Sequence, residues 1–212
     1  MRSVVWLKRD LRLSDHRPLA EAAHGECLLR YVIEPSWREA PDFDSCHADF
    51  ITQSLLELKP RVEALGGRLL VAEGEVVDVL DQLHDAWPFE QLLSHEETGN
   101  DLSFQRDKAV KAWSRRRDVR WIEHPQFGVF RPLPDRDGWA ARWRQRMNEP
   151  LTPAPTSLRS PDIELPFAVS LDGLAVEAHP LRQVGGETPA RETLRTFLKE
   201  RGQEYATQMS SP

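Results

Sequence analysis

Over its first 125 residues the chain alternates short apolar runs with longer amphipathic stretches, and few folds accommodate that rhythm. Residues 3–8, 27–33 (CLLRYVI), 68–72 (RLLVA), 90–94 and 118–124 (DVRWIEH) read as strands. Between them the periodicity turns helical. A short helix is predicted near 18–23, and a long one carries Phe50, Ile51, Leu55, Leu58, Val62 and Leu65 at three- and four-residue spacing. A third covers 75–87 with Val76, Val79, Leu80 and Leu83 on one face, and a fourth covers 101–117. Pro35 stops the second strand, Pro60 predicts a kink or restart in the long helix, and Gly66-Gly67 ends it. Strands joined by helical crossovers form a parallel sheet covered on both faces. Right-handed crossovers then predict an α/β fold with a Rossmann-like, doubly wound, five-stranded sheet in the order 3-2-1-4-5.

The pattern changes after residue 125. Residues 137–147 predict a short helix with Trp139 and Trp143 one turn apart. From 149 to 186 the chain is rich in proline (150, 153, 155, 161, 166 and 180) and lacks sustained periodicity, which reads as an extended linker. A last helix is expected with Thr188 as N-cap and Pro189 at its first position. It places Leu194, Phe197, Leu198 and Tyr205 on one stripe with nothing after it to bury them. We therefore expect an α/β domain over 1–148, a linker over 149–186, and the truncated start of a helical domain over 187–212. The stripe from Leu194 to Tyr205 also offers a dimer or lattice contact.

Composition narrows the classes. The chain is 40% hydrophobic and 29% charged, and no apolar run approaches the length of a membrane span. Arg2 followed at once by strand-like residues does not resemble a signal peptide, so a cytoplasmic protein is expected. Cys27 and Cys46 read as small core residues in a reducing compartment. Neither the cysteines nor the histidines (16, 24, 47, 84, 95, 124 and 179) show metal-ligand spacing, which disfavours a structural zinc site. A net charge of −6 argues against a general nucleic-acid binder. The clusters Arg115-Arg116-Arg117 and Arg131, Arg136, Arg142, Arg144 and Arg146 read as solvated faces. Trp6, Trp87, Trp113 and Trp121 fall on apolar faces and read as core. Glycine loops of the dinucleotide or P-loop type are absent from the sequence.

In an open parallel sheet, ligands collect beyond the carboxyl ends of the strands, where strand order reverses. In the order 3-2-1-4-5 that crevice lies between strands one and four. Lys8-Arg9-Asp10-Leu11-Arg12 follows strand one, and Ser94-His95-Glu96-Glu97-Thr98-Gly99-Asn100 follows strand four. Two polar loops thus converge where a site is expected. Asp10, Arg12 and Asp15 read first as a paired network holding the loop to the first helix. His95, Glu96 and Glu97 read as polar contacts to a small ligand or neighbouring domain rather than as an acid–base set, since the side chains of 96 and 97 point apart.

The opening W-L-K-R-D-L-R-L-S-D-H (Trp6 to His16) resembles the amino-terminal signature of the DNA photolyase/cryptochrome family. Y-V-I-E-P after strand two, the Arg106-Asp107 pair, and G-G-E-x-x-A…L…F-L…Y at 185–205 extend the resemblance along nearly the whole chain. It implies an α/β domain, a long connector and an all-helical domain holding FAD. Photolyases of this family repair UV-damaged DNA: excited reduced flavin passes an electron to a pyrimidine dimer. Cryptochromes use similar photochemistry for blue-light signalling. The α/β domain commonly helps to bind an antenna chromophore, a folate, deazaflavin or flavin.

Carried over residue by residue, Tyr205 matches a tyrosine that contacts FAD phosphate in a complete protein. The rest of that flavin site would lie beyond Pro212. The resemblance therefore implies that this chain alone neither retains FAD nor acts catalytically, and binds DNA weakly or not at all. The antenna contacts it implies are Arg9, Glu34, Trp37, Glu96 and Glu97. Leu102-Ser103 stand where a folate-contacting Asn-Glu is expected, which speaks against folate. The alternative is a stand-alone Rossmann-like module for nucleotide binding or protein interaction.

Overall fold

A computed structural model of the chain describes residues 1–130, 135–164, 168–171 and 182–209. Arg131, Pro166, His179 and Pro180 lie outside the described residues. The elements run β1 (Arg2–Leu7), α1 (Arg17–Ala22), β2 (Glu26–Ile33), α2 (Pro35–Arg38), α3 (Ser45–Ala64), β3 (Leu69–Glu73), α4 (Val76–Ala86), β4 (Gln91–His95), α5 (Asp101–Arg116) and β5 (Arg120–His124). All five strands are parallel, in the order β3-β2-β1-β4-β5. The α/β, Rossmann-like sheet expected from the sequence is the one observed.

Strand periodicity sorts the core into two layers. Val4 pairs with Leu28 and Leu92, and with Trp6 these residues face α4 and α5, where Val79, Leu83 and Trp113 cover them. Val5, between Leu29 and Leu93, belongs with Leu7 to the opposite layer, closed by Leu19 of α1 and Leu55, Leu58 and Val62 of α3. Both layers are fully buried, which is why the strands read as nearly continuous apolar runs.

Short polar side chains start the helices. Asp44 accepts from the Cys46 N–H (2.8 Å) and Asn100 from the Ser103 N–H (3.2 Å). Cys27 is buried as expected. Cys46 is half-buried, because it occupies the first turn of α3 rather than the core. The helix α3 runs from Ser45 to Ala64 without restarting at Pro60. Pro60 and Leu56 both lie on the solvent side, where water can replace the donor that proline lacks. Pro35 does more than stop β2: it opens the four-residue helix α2, which the sequence pattern did not reveal.

Beyond β5 come α6 (Trp139–Met147), then α7 (Glu187–Lys199), a 3-10 turn (Arg201–Glu204) and α8 (Tyr205–Gln208). The described parts of the intervening segment are extended but held in place. Leu158 is buried and donates to the Leu65 carbonyl (2.7 Å), Arg159 accepts from the Cys27 N–H (2.7 Å), and Ala168 bridges antiparallel to Ala72.

The start of α7 differs from expectation. Glu187, not Pro189, is its first residue, and Gly186 precedes it at φ 120°. Thr188 does not cap its own helix. Its hydroxyl donates to Glu57 of α3 (2.8 Å). Glu187 is buried, accepting from the Leu13 N–H (3.0 Å) and Ser14 Oγ and pairing with Arg61 (3.1 Å) and Arg191 (2.8 Å). One carboxylate thus fastens α7 to the loop after β1 and to α3. We expect Glu187→Ala to expose the 182–199 segment to limited proteolysis while lowering domain stability by only about 1–2 kcal/mol. Unchanged cleavage kinetics would show that the carboxylate is not the fastening.

Candidate functional site

The loops after β1 and β4 meet at the carboxyl edge of the sheet, and their first polar cluster is buried. Asp10 Oδ2 lies 2.6 Å from His95 Nδ1 and 3.0 Å from His16 Nε2, and Asp10 Oδ1 accepts from the Lys8 N–H (2.8 Å). All three side chains are almost wholly inaccessible. His16 Nδ1 accepts from the Leu19 N–H (3.1 Å) at the start of α1, which leaves Nε2 to carry the ring proton toward Asp10. The two imidazole rings stand 4.5 Å apart. Burial opposes charge on Asp10, but hydrogen bonds from His16 and His95 outweigh it and hold the carboxyl well below its usual range. Burial pushes His95 down from its ordinary value, with Asp10 only partly offsetting it.

These residues could collect a metal ion by type. Ligand atoms around a metal at bond lengths of about 2.0–2.2 Å stand roughly 3 Å or more apart, however. The 2.6 Å contact is therefore that of a direct hydrogen bond.

The sequence reading paired Asp10 with Arg12 and Asp15, and the structure separates them. Arg12 donates instead to the carbonyls of Ser14 (3.1 Å) and Asp15 (2.7 Å), the nearest acceptors for its planar fork. Asp15 turns outward to accept from the Thr152 N–H (2.9 Å).

A second polar cluster centres on Arg106 of α5. Its guanidinium reaches Glu34 (2.9 Å), Glu97 and Asp107 (3.2 Å), and lies 4.9 Å from the Trp6 ring centre. Burial disfavours its charge, but these three carboxylates hold the guanidinium pKa above its usual value. Burial raises Glu34, with Arg106 opposing. Arg9 pairs with Glu97 (2.8 Å) from the rim, while Lys8 lies buried between Asp107 (3.2 Å) and Glu123 (3.3 Å), 4.4 Å from the centre of Trp6.

Of these residues Lys8, Arg9, Glu34, Glu97 and Arg106 line a cavity of about 880 Å³. Tyr31, Trp37, Phe50 and Ile51 supply aromatic and apolar wall, and Gly186, Glu187 and Ala190 supply wall from the start of α7. Gly186 sits at φ 120°, a backbone conformation that residues with a side chain rarely adopt, so the turn into α7 requires glycine there. Of the sequence-predicted contacts, Arg9, Glu34, Trp37 and Glu97 line this cavity together. Glu96 is not among its lining residues. Its N–H continues the pairing with β5 through the His124 carbonyl (2.8 Å), so strand alternation turns its side chain away from that of Glu97. Tyr205 is also outside the lining: it is half-exposed and packs edge-on against Phe197 (5.6 Å).

Sequence reasoning missed the wall contributed by Phe50 and α7, and the central position of Arg106, which stood out only as half of an Arg-Asp pair. An arginine at mid-helix on the crevice side of α5, facing two glutamates at strand ends, was the available signal.

A parallel α/β domain with an aromatic-walled cavity at the carboxyl edge of its sheet places that cavity where ligands collect in folds of this class. The family model for DNA photolyase matches residues 3–133, and the chain belongs to that family. It is 28% identical to Cryptochrome-1 of Anopheles gambiae over 141 residues, a match taking in 62% of this chain and 26% of the mosquito protein. Two solved structures share the fold. A bacterial class III photolyase from Agrobacterium tumefaciens superposes with a TM-score of 0.74 at 22% identity, covering 93% of this chain and 44% of that one. An archaeal photolyase from Sulfolobus tokodaii, solved with two FAD molecules, superposes at 0.73 and 19% identity, covering 94% and 46%. The chain thus spans about a quarter of the mosquito relative and less than half of the two solved chains. No described helix is long and apolar enough to cross a membrane.

Proposed function

We propose that this chain is the chromophore-holding part of a light-driven photolyase or cryptochrome, with the cavity at the carboxyl edge of the sheet as the seat of an antenna chromophore. Residues 1–148 form the α/β domain in this reading, 149–186 the connector, and 187–212 the start of a helical domain. The cavity carries the proposal: about 880 Å³, walled by Tyr31, Trp37 and Phe50, with Arg9, Glu34 and Glu97 at strand ends. Aromatic faces would stack a flat ring, and the polar edge would orient it. The Sulfolobus neighbour supports this reading, since its structure holds two FAD molecules and implicates a novel light-harvesting cofactor.

FAD as the photochemical centre is a different matter. Among the described residues Tyr205 is the one FAD contact the resemblance supplies, and a lone half-exposed tyrosine does not cradle a flavin. Repair of UV-damaged DNA, or signalling, would need helical surface comparable to that of the longer relatives. The stand-alone alternative requires the last helix to bury its stripe. The start of α7 is docked, yet Leu194 and Leu198 are 57% and 68% exposed, which favours the domain reading.

Binding can be read without any photochemistry. The emission of Trp6 and Trp37 at the cavity should be quenched on titration with a tricyclic or bicyclic aromatic chromophore. Trp37→Ala should weaken that binding at least about tenfold. If folate, deazaflavin and flavin all fail to bind the folded chain, the cavity is not an antenna site.

A further inference from the structure

Resting on the chromophore reading, we propose that this cavity selects a flat ring system without phosphate or carboxylate groups, one with the chemistry of riboflavin rather than of FMN, FAD or a folate. The lining carries six carboxylates (Asp10, Glu34, Asp42, Glu75, Glu97 and Glu187) against the cations Lys8, Arg9, Arg12 and Arg106, with Glu187 balanced from outside the lining by Arg61 and Arg191.

The cations, moreover, are committed. Arg106 is held by Glu34, Glu97 and Asp107, and Arg9 by Glu97. Lys8 faces Asp107 and Glu123, and Arg12 donates to the Ser14 and Asp15 carbonyls. A phosphate could take Arg9 only by drawing it from Glu97, which would leave that buried carboxylate to Arg106 alone. Of the other polar edges, Asp42 accepts from Asn100 (3.1 Å) and Glu75 from the Ser36 N–H (3.1 Å) and hydroxyl (3.0 Å).

The loop after β1 lacks the glycine cradle of phosphate-binding folds, and its Lys8 N–H is already given to Asp10. An anionic tail therefore meets cations that are already paired and the rim carboxylates Asp42 and Glu75, whereas hydroxyls could donate to those carboxylate oxygens. The apolar wall rewards the ring itself. Selectivity then arises by electrostatic rejection, with the ring contacts common to all candidates.

The test is a fluorescence titration of the chain with riboflavin, FMN, FAD and methenyltetrahydrofolate at low and high salt. Riboflavin should bind at least about tenfold tighter than FMN at low salt, a ratio set by like charges a few ångströms apart. Screening should narrow the ratio as salt rises. Ala109→Trp, at an exposed lining position of α5, should abolish riboflavin binding with the far-UV circular dichroism unchanged. If FMN, FAD or the folate binds as tightly as riboflavin, the selectivity proposal is overturned and the chromophore reading stands. If none of the four binds, the chromophore reading falls and this inference with it.

Discussion

Asp10→Ala should cost about 3–5 kcal/mol of unfolding free energy, the largest loss expected from any polar substitution in the chain. The carboxylate faces the ring nitrogens of His16 and His95 and also accepts from the Lys8 N–H. Alanine would leave three buried donors facing an apolar gap, each costing about 1–3 kcal/mol before relaxation. Asp10→Asn should lose less, because the amide oxygen still accepts while its NH₂ crowds one imidazole. Chemical denaturation at pH 7 measures both, and losses below about 1 kcal/mol would show that the triangle contributes little.

The same triangle sets a pH dependence. Burial holds His95 below its ordinary value of 6.5, so the unfolded chain takes up a proton more readily than the folded one. Stability from this group is present above about pH 6.5 and should fall as pH drops below it, by at most about 1.4 kcal/mol per pH unit. His124, lowered by burial with Glu21 opposing, acts in the same direction. The raised Glu34 and Glu123 act oppositely, gaining stability as they protonate at lower pH. His95→Gln should flatten the slope between pH 7 and 5.5.

Arg106→Met is the second large effect, about 3 kcal/mol at pH 7.5. Methionine keeps the apolar stem beside Trp6 but strands buried Glu34 without its cation and leaves buried Glu97 to Arg9 alone. Burial already raises Glu34, and without the guanidinium it would rise further. The sign of the pH effect follows. Glu34 can protonate in the folded variant, so its deficit relative to the parent should shrink as pH falls from 7.5 toward 5. A deficit that stays constant across that range would mean that stem packing, not charge, accounts for the loss. Arg106→Lys should recover only part of the stability, because one ammonium cannot reach both glutamates in fork geometry.

The fold was more legible in the sequence than the site because strands and helices announce themselves locally. Val4, Leu28 and Leu92 belong to apolar runs whose period alone assigns them to the sheet, and crossover handedness then orders it. The Asp10–His16–His95 triangle is assembled from two chain segments, so its partners share no spacing. Only the placement of a buried aspartate and histidine at the ends of neighbouring strands hinted at it. The early start of α7 was hidden by Thr188-Pro189, which suits a helix start. Proline is equally tolerated anywhere in the first turn, where its missing N–H is not needed, and Glu187 gains more from Arg61 and Leu13 than Thr188 would from capping. Arg12 and Asp15 misled in a different way. Backbone carbonyls compete for guanidinium, and no sequence pattern records which acceptor lies nearer.

The wall that α7 lends to the cavity ties two events together. Gly186, Glu187 and Ala190 border the same space as Arg9 and Trp37, though the chain between them is long. Any occupant that touches both sides must hold the segment in place. By reciprocity, whatever draws α7 away must loosen the occupant by an equal free energy. A guest in the cavity would thus act as a molecular clasp, and its departure would be felt at α7.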